Sequence, residues 1–394
     1  MFVAVLPNGE KVNVTDSFWS KKKLEMLKKE HSFVCPACRK KVQLKVGTMK
    51  IPHFAHLSSP CTADAEAESC YHLNGKKQLY RWLQKQHLKA ELEKYFPLIK
   101  QRADLFTFFQ QNKYAIEYQC AAISWEQVKK RTQGYQQEKI IPLWILGWNQ
   151  VKQVGPHIYR ITPFHWQFLN PLQSKQLLII SYCSSLNMFM LLLNPVPFTK
   201  QLVFASIARI TPDFLKFHDF LTGKEFLMKS FMEQWLKKID RYRLKPPSKT
   251  SKQERLLQKM VYEASGLSLS QLPIEAFVPL RSGFMIDEAV YIWQSYVLLF
   301  IHKLRRNEVF HVEKLVWFLK HLRINERICP VQVDIKIPLL EYLNVLARLQ
   351  ILEPIGSYSF RKASSVFNPD DRKKREKRLK QSFLQGGMFR DPVE

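Results

Sequence analysis

An apolar run over residues 2–6 and an alternating polar and apolar stretch over 11–14 flank Asn8-Gly9, a pair that tolerates positive φ, so the chain is expected to open with a β-hairpin. A charged stretch carrying Trp19, Leu24, Met26 and Leu27 predicts a helix capped by Asp16 or Ser17 and finished before Ser32. Extended residues 42–46, a turn at Gly47 and the run His53-Phe-Ala-His56 predict a second hairpin. From 68 to about 92, Leu73, Leu79, Tyr80, Leu83 and Leu88 recur near helical spacing, predicting a long amphipathic helix. Residues 102–109 and 113–121 are rich in aromatic and β-branched side chains and are parted by Gln110, Gln111 and Asn112, which predicts two paired strands. Ser124 and Gln127 form a capping box for a helix to about Lys139, and residues 140–146 read as a buried strand closed by Gly147.

Further on, residues 177–180, 189–193 and 202–207 read as strands and 214–239 as helix. The stretch 243–252, with Pro246, Pro247 and several Ser and Lys residues, reads as a linker. Amphipathic helices are expected at 254–264, 288–304, 312–322 and 339–352, and the last, followed by Gly356 and Tyr358-Ser-Phe, suits the end of a winged helix. A basic run, 372–380, reads as a solvated helix or tail. The fold class is thus α+β and multidomain: a hairpin module over 1–62, an α/β core over 63–155, a mixed connecting region over 156–245 and a mainly helical, basic domain over 246–394.

At 394 residues, with 46% hydrophobic and 13% aromatic content, the chain is built for a large core and not for disorder. Its net charge of +27 is spread along its length and calls for a polyanion, either nucleic acid or an anionic membrane surface. The most apolar stretch, 177–193, is broken by Ser181, Ser184, Ser185 and Asn187, so buried strands and no stable membrane insertion are expected. Nothing at the start resembles a secretory signal, and Cys120, Cys183 and Cys329 lie scattered in apolar surroundings, which suits a cytoplasmic location.

Two groups of residues carry chemistry. Cys35 and Cys38 have the spacing of two thiolates on one turn, and with His53 and His56 they would make a tetrahedral zinc set, Cys61 being a substitute for one histidine. The plainer alternative is a reactive dithiol and two unrelated histidines. In the core, Glu117 and Gln119 point to one face of a strand, and pairing can bring Asp104 beside them, offering carboxylates to Mg²⁺ or Mn²⁺. Glu68, His72 and Lys76 fall on one helix face, as do Arg131 and Tyr135, which would hold a phosphate or brace the fold.

Cys-Pro-Ala-Cys and His-Phe-Ala-His, then Glu68-x3-His72-x3-Lys76, Arg102-Ala-Asp104, Ile116-Glu117-Tyr118-Gln119, the 124–135 helix and Trp144-Ile-Leu-Gly147 together resemble the competence protein CoiA family of Gram-positive bacteria. The resemblance covers residues 1–155 by motif. It implies a zinc-finger-like module before a restriction-endonuclease-like PD-(D/E)xK nuclease domain, acting on incoming DNA, single-stranded or branched, during natural transformation, with recombination proteins as further partners. By that likeness Asp104 and Glu117 would ligate the divalent metal, Glu68 would be the helix acid, and His72, Lys76 and Gln119 would complete the catalytic set. Gln119 stands where the family pattern has Lys, and cannot supply a positive charge, so an active nuclease and a non-enzymatic DNA-binding adaptor are both consistent with the sequence.

Overall fold

A computed structural model describes residues 1–47, 50–57, 61, 68–171, 176–221, 230–245 and 250–384. The N-terminal module is an antiparallel five-stranded sheet in the order Lys11–Asn13, Val3–Val5, Phe33–Val34, Lys41–Lys45, His53–His56. Gly9, at φ 91°, makes the expected first turn. The helix Lys21–Glu30 is capped by Ser20 and not by Asp16 or Ser17. Asp16 is instead engaged by the Asn13 side-chain amide at 2.8 Å.

The centre is one ten-stranded mixed sheet. Its order is Lys152–Gly155, Ile158–Arg160, Leu202–Ile210, Met188–Pro197, Leu177–Cys183, Ile140–Gly147, Asn112–Gln119, Leu105–Phe109 and Ala90–Leu92, with Leu169–Pro171 pairing beside Leu177–Cys183. Asn112–Gln119 and Ile140–Gly147 run parallel, joined over one face by the helix Trp125–Gln137 with its Ser124/Gln127 capping box. The expected boundary at 155 therefore falls inside a continuous sheet. The apolar run 177–193 supplies two central strands, buried on both sides, which is why it lacks the alternation of an edge strand. Among the described residues no helix is long and apolar enough to cross a membrane.

Three other expectations differ. The long helix is shorter, Cys70–Lys85, because His87 at φ 57° turns the chain into the strand Ala90–Leu92. The strand at 102–109 is interrupted: Gln101–Arg102 pairs with Tyr95–Phe96, and the chain re-enters the main sheet only at Leu105. The helix expected over 214–239 begins at Met232, after short 3-10 turns at Pro212–Phe214 and Phe217–Phe220, and residues 222–229 lie outside the described set.

The C-terminal region holds the helices Met232–Leu244, Lys252–Ser265, Val290–Lys303, Val312–His321, Lys336–Arg348 and Pro369–Leu384. Part of the expected linker, 246–249, lies outside the described residues. From Val290 the order is helix, strand Val309–His311, helix, helix, strand Leu352–Gly356, strand Ser359–Lys362, with the last strand between the other two. That is a winged-helix arrangement, as the sequence suggested. Its core is continuous with the central sheet: Val196 and Phe204 of the sheet, with Phe198 just past a strand end, share one apolar cluster with Trp235, Phe277, Tyr291 and Trp293.

Candidate metal centre and active-site cavity

The cavity forms where one strand stops short of its neighbour. Leu105–Phe109 pairs with Asn112–Gln119 only up to Leu105 opposite Ile116, whereas the parallel partner follows on to Gln119. Past Ile116 that edge has no strand, and Asp104 takes its place by accepting the Tyr118 N–H at 3.0 Å. The helix Cys70–Lys85 crosses the same point closely. Gly75 permits this, since a Cβ there would sit 2.0 Å from the Tyr118 ring.

His72 Nε2 thereby comes 3.3 Å from Asp104 Oδ2, and Lys76 Nζ donates to Glu93 at 2.6 Å and to Glu68, standing 3.5 Å from Asp104 Oδ1. One ligand atom from each of Glu68, His72 and Asp104 falls within a 4.8 Å set. These three, with Glu117, Gln119 and Arg131, line a cavity of about 280 Å³. The N-terminal module contributes too, because the Met1 ammonium pairs with Glu68 and donates to the Phe54 carbonyl at 3.2 Å.

Charge balance fixes the protonation of this group. Burial alone would raise the Glu68 carboxyl, but Lys76 and the Met1 ammonium outweigh it and bring it down to about 2. Asp104 is likewise pushed up by burial and held far lower by His72, Lys76 and the Tyr118 amide. Lys76, fully buried, is kept charged by Glu68, Glu93 and Asp104 despite its desolvation. Glu117 behaves oppositely: burial raises its carboxyl, with Arg131 opposing, and its Oε1 accepts from both Arg131 and the Tyr135 hydroxyl.

Several expected roles change with this geometry. Lys76 has no exposed surface and does not line the cavity, so it braces carboxylates and does not meet a substrate. Tyr135 is also fully buried, its hydroxyl directed to Glu117, which removes it from substrate binding. Arg131 reaches the cavity, but it is bound to Glu117 and to the Arg102 carbonyl at 3.0 Å. Gln119 donates to the Ala121 carbonyl at 2.7 Å, leaving its amide oxygen as an acceptor. Glu93, which receives Lys76 together with the Phe2 and Val3 amides at 2.8 and 3.0 Å, was missed; the sequence placed it just past a helix. Nothing in its neighbourhood signals a buried anion, since it stands in a Glu-Leu-Glu run of ordinary polarity.

In the N-terminal module the clustered ligand atoms belong to Cys35, Cys38, His56 and Cys61. Cys35 and Cys61 sulfurs lie 3.8 Å apart, and Cys38 Sγ is 3.3 Å from His56 Nε2. His53 is not among them. Three residues from His56 on one strand, it points to the opposite face, and its Nδ1 contacts the Ile51 carbonyl at 2.8 Å. Burial lowers the His56 imidazole, favouring the neutral form that ligates. Three thiol sulfurs and one imidazole are the donor set that suits zinc.

A cavity lined by carboxylates, an imidazole and an arginine, at the edge of a mixed sheet with a parallel centre, belongs to the nuclease-like α/β class: residues 68–225 match the family domain "Competence protein CoiA, nuclease-like domain". Residues 16–64 match "Competence protein CoiA, N-terminal domain" and 231–373 "Competence protein CoiA, C-terminal domain". The chain is 37% identical over 276 residues to "Competence protein CoiA" of Bacillus subtilis (strain 168), covering 69% of this chain and 73% of that one. It belongs to the competence protein CoiA family. No solved structure matches it.

Proposed function

We propose that the central domain hydrolyses phosphodiester bonds of incoming DNA in the cytoplasm during transformation, using a divalent metal, with zinc holding the N-terminal module together. The observation that carries this reading is the convergence of Glu68, His72 and Asp104 within 4.8 Å in a cavity that Glu117, Gln119 and Arg131 also line. Carboxylate oxygens with one imidazole fit Mg²⁺ and, more comfortably, Mn²⁺. Asp104, Glu68 and His72 would hold the ion, in a cavity that Glu117 also lines. When bound, such an ion lowers the pKa of water and stabilises charge on a phosphate oxygen.

The chain's own residues do the rest. Lys76 keeps Glu68 and Asp104 ionised and in place. Gln119 offers its amide oxygen to orient an attacking water. Arg131, at the rim, exchanges between Glu117 and a phosphate oxygen. A second reading, a DNA-binding adaptor without catalysis, is favoured by one observation: Glu117 is already satisfied by Arg131 and Tyr135.

The deciding experiment incubates the purified protein with end-labelled single-stranded, duplex and branched DNA, with Mg²⁺, Mn²⁺ or EDTA. Cleavage that needs the ion and is lost in Asp104→Asn, which keeps the shape of the side chain, supports the nuclease. Intact DNA in every sample, with binding retained, moves the assignment to the adaptor, recruiting recombination proteins to DNA.

A further inference from the structure

The carboxylates of the winged-helix unit are all taken. Glu313 pairs with Lys336, Glu353 with Arg361 at 3.0 Å, and Glu308 caps the Arg305 amide at 2.8 Å. Glu326 accepts the Ile335 amide, Asp334 the Lys336 amide, and Glu341 the Arg281 and Ser282 amides, each near 3 Å. Its exposed cations have no such partners. Lys303, Arg305 and Arg306 at the foot of the small sheet, Lys314 and Lys320 on the second helix, Arg323 just after it and Arg348 on the third form no ion pair among the described residues. Two of these six carboxylates are ion-paired and the other four are held by backbone amides, whereas the seven exposed cations have no ion-pair partner among the described residues, so the surface carries an excess of free positive charge complementary to a polyanion.

The third helix, Lys336–Arg348, is buried on one side by Leu339, Tyr342, Leu343 and Leu346. Its outer face presents Ile337, Asn344 and Arg348, all exposed. Asn344 and Arg348 lie one turn apart, and their side chains make no hydrogen bond among the described residues. These are the side chains that pair in bidentate fashion with adenine and guanine edges, while an apolar side chain suits a thymine methyl. Beside this helix, the exposed hairpin turn 356–358 stands near its N-terminus: the Tyr358 carbonyl accepts the Val312 amide at 2.9 Å, and Glu313 of the same turn pairs with Lys336. The connection before the helix is long, but Arg327 fixes it, donating to the Phe284 and Ile286 carbonyls at 2.7 and 2.9 Å.

We infer that this unit is a duplex-DNA grip, with Lys336–Arg348 in the major groove, the Leu352–Lys362 hairpin against the backbone, and Lys314, Lys320 and Arg323 on phosphates. The inference does not depend on the central cavity being catalytic, and its test is run without added Mg²⁺ or Mn²⁺, so that the proposed cleavage has no ion to use while the N-terminal module keeps its zinc.

Full-length protein is titrated into a fluorescein-labelled 20-base-pair duplex, and into the single strand and a duplex RNA of the same sequence, at several salt concentrations. Arg348→Ala and Asn344→Ala are expected to weaken duplex binding by roughly five- to a hundredfold. A Lys314→Ala/Lys320→Ala variant should lower the salt slope by about 0.9 for each phosphate that it leaves without a cation. Lys21→Glu/Lys22→Glu, equally exposed cations on the N-terminal module, should bind as wild type does. Circular dichroism confirms folding of these surface variants. Unchanged duplex affinity in the Arg348 and Asn344 variants, an equal loss in the Lys21/Lys22 variant, or a preference for single strand or RNA would each overturn the inference.

Discussion

Replacing Lys76 by Met keeps an unbranched side chain one atom shorter and removes one buried charge, and its consequence can be worked from the geometry. The ammonium serves Glu68, Glu93 and Asp104 at once, with no solvent to replace it. Breaking a buried ion pair from one side costs about 3–5 kcal/mol, because the remaining charge is left uncompensated. An independent figure comes from Glu68: a fall from 4.5 to about 2 is worth about 3 kcal/mol at neutral pH, shared between Lys76 and the Met1 ammonium. A folded-state value below the unfolded one means that this contribution is complete above pH 4.5 and disappears as pH falls toward 2. The gap between wild type and Lys76→Met should therefore be about 3 kcal/mol or more at pH 7 and should narrow steadily on acidification. Urea denaturation followed by tryptophan fluorescence at pH 7, 5 and 3.5 measures it. A gap under about 1 kcal/mol at pH 7, or one independent of pH, would refute the idea that Lys76 holds the carboxylates.

Zinc analysis separates the two candidate ligand sets: Cys61→Ser should lower the metal-to-protein ratio from near one, whereas His53→Ala should leave it unchanged. Arg131→Ala leaves Glu117 buried beside Tyr135 alone, and a loss of about 2–4 kcal/mol in denaturant stability is expected; since burial already raises that carboxyl, the variant should regain stability as pH falls and Glu117 is neutralised. Gly75→Ala drives a methyl into the Tyr118 ring and should cost about 1–3 kcal/mol, separating the helix from the sheet and weakening any divalent-ion binding seen by calorimetry.

Element types were legible where local signals agree with tertiary packing. The Ser124/Gln127 box and the Asn8-Gly9 turn lie where residue chemistry put them. What local pattern could not show was which strand lies beside which. The boundary at 155 failed because an apolar strand reads the same whether it opens a new sheet or joins an old one. His53 and His56 were paired by proximity in sequence, but three residues on a strand is an odd step and sends them to opposite faces. Lys76 was placed on one helix face with Glu68 and His72, but its full burial was not legible because its partners Glu93 and Asp104 arrive from elsewhere in the chain. Asp104 and Glu117 were singled out from spacing, yet the missing strand edge that sets Asp104 beside Tyr118 belongs to the register alone.

The apolar cluster running from Val196, Phe198 and Phe204 into Trp235, Tyr291 and Trp293 has a mechanical consequence. Two units that share a core cannot swing like beads on a string, so the cavity at Asp104 and the outer face of Lys336–Arg348 keep a fixed separation. On the reading proposed above, a DNA strand held at one of them would reach the other at a set number of nucleotides. The same feature means that a fragment ending near residue 245 would leave the underside of the sheet bare and prone to aggregate.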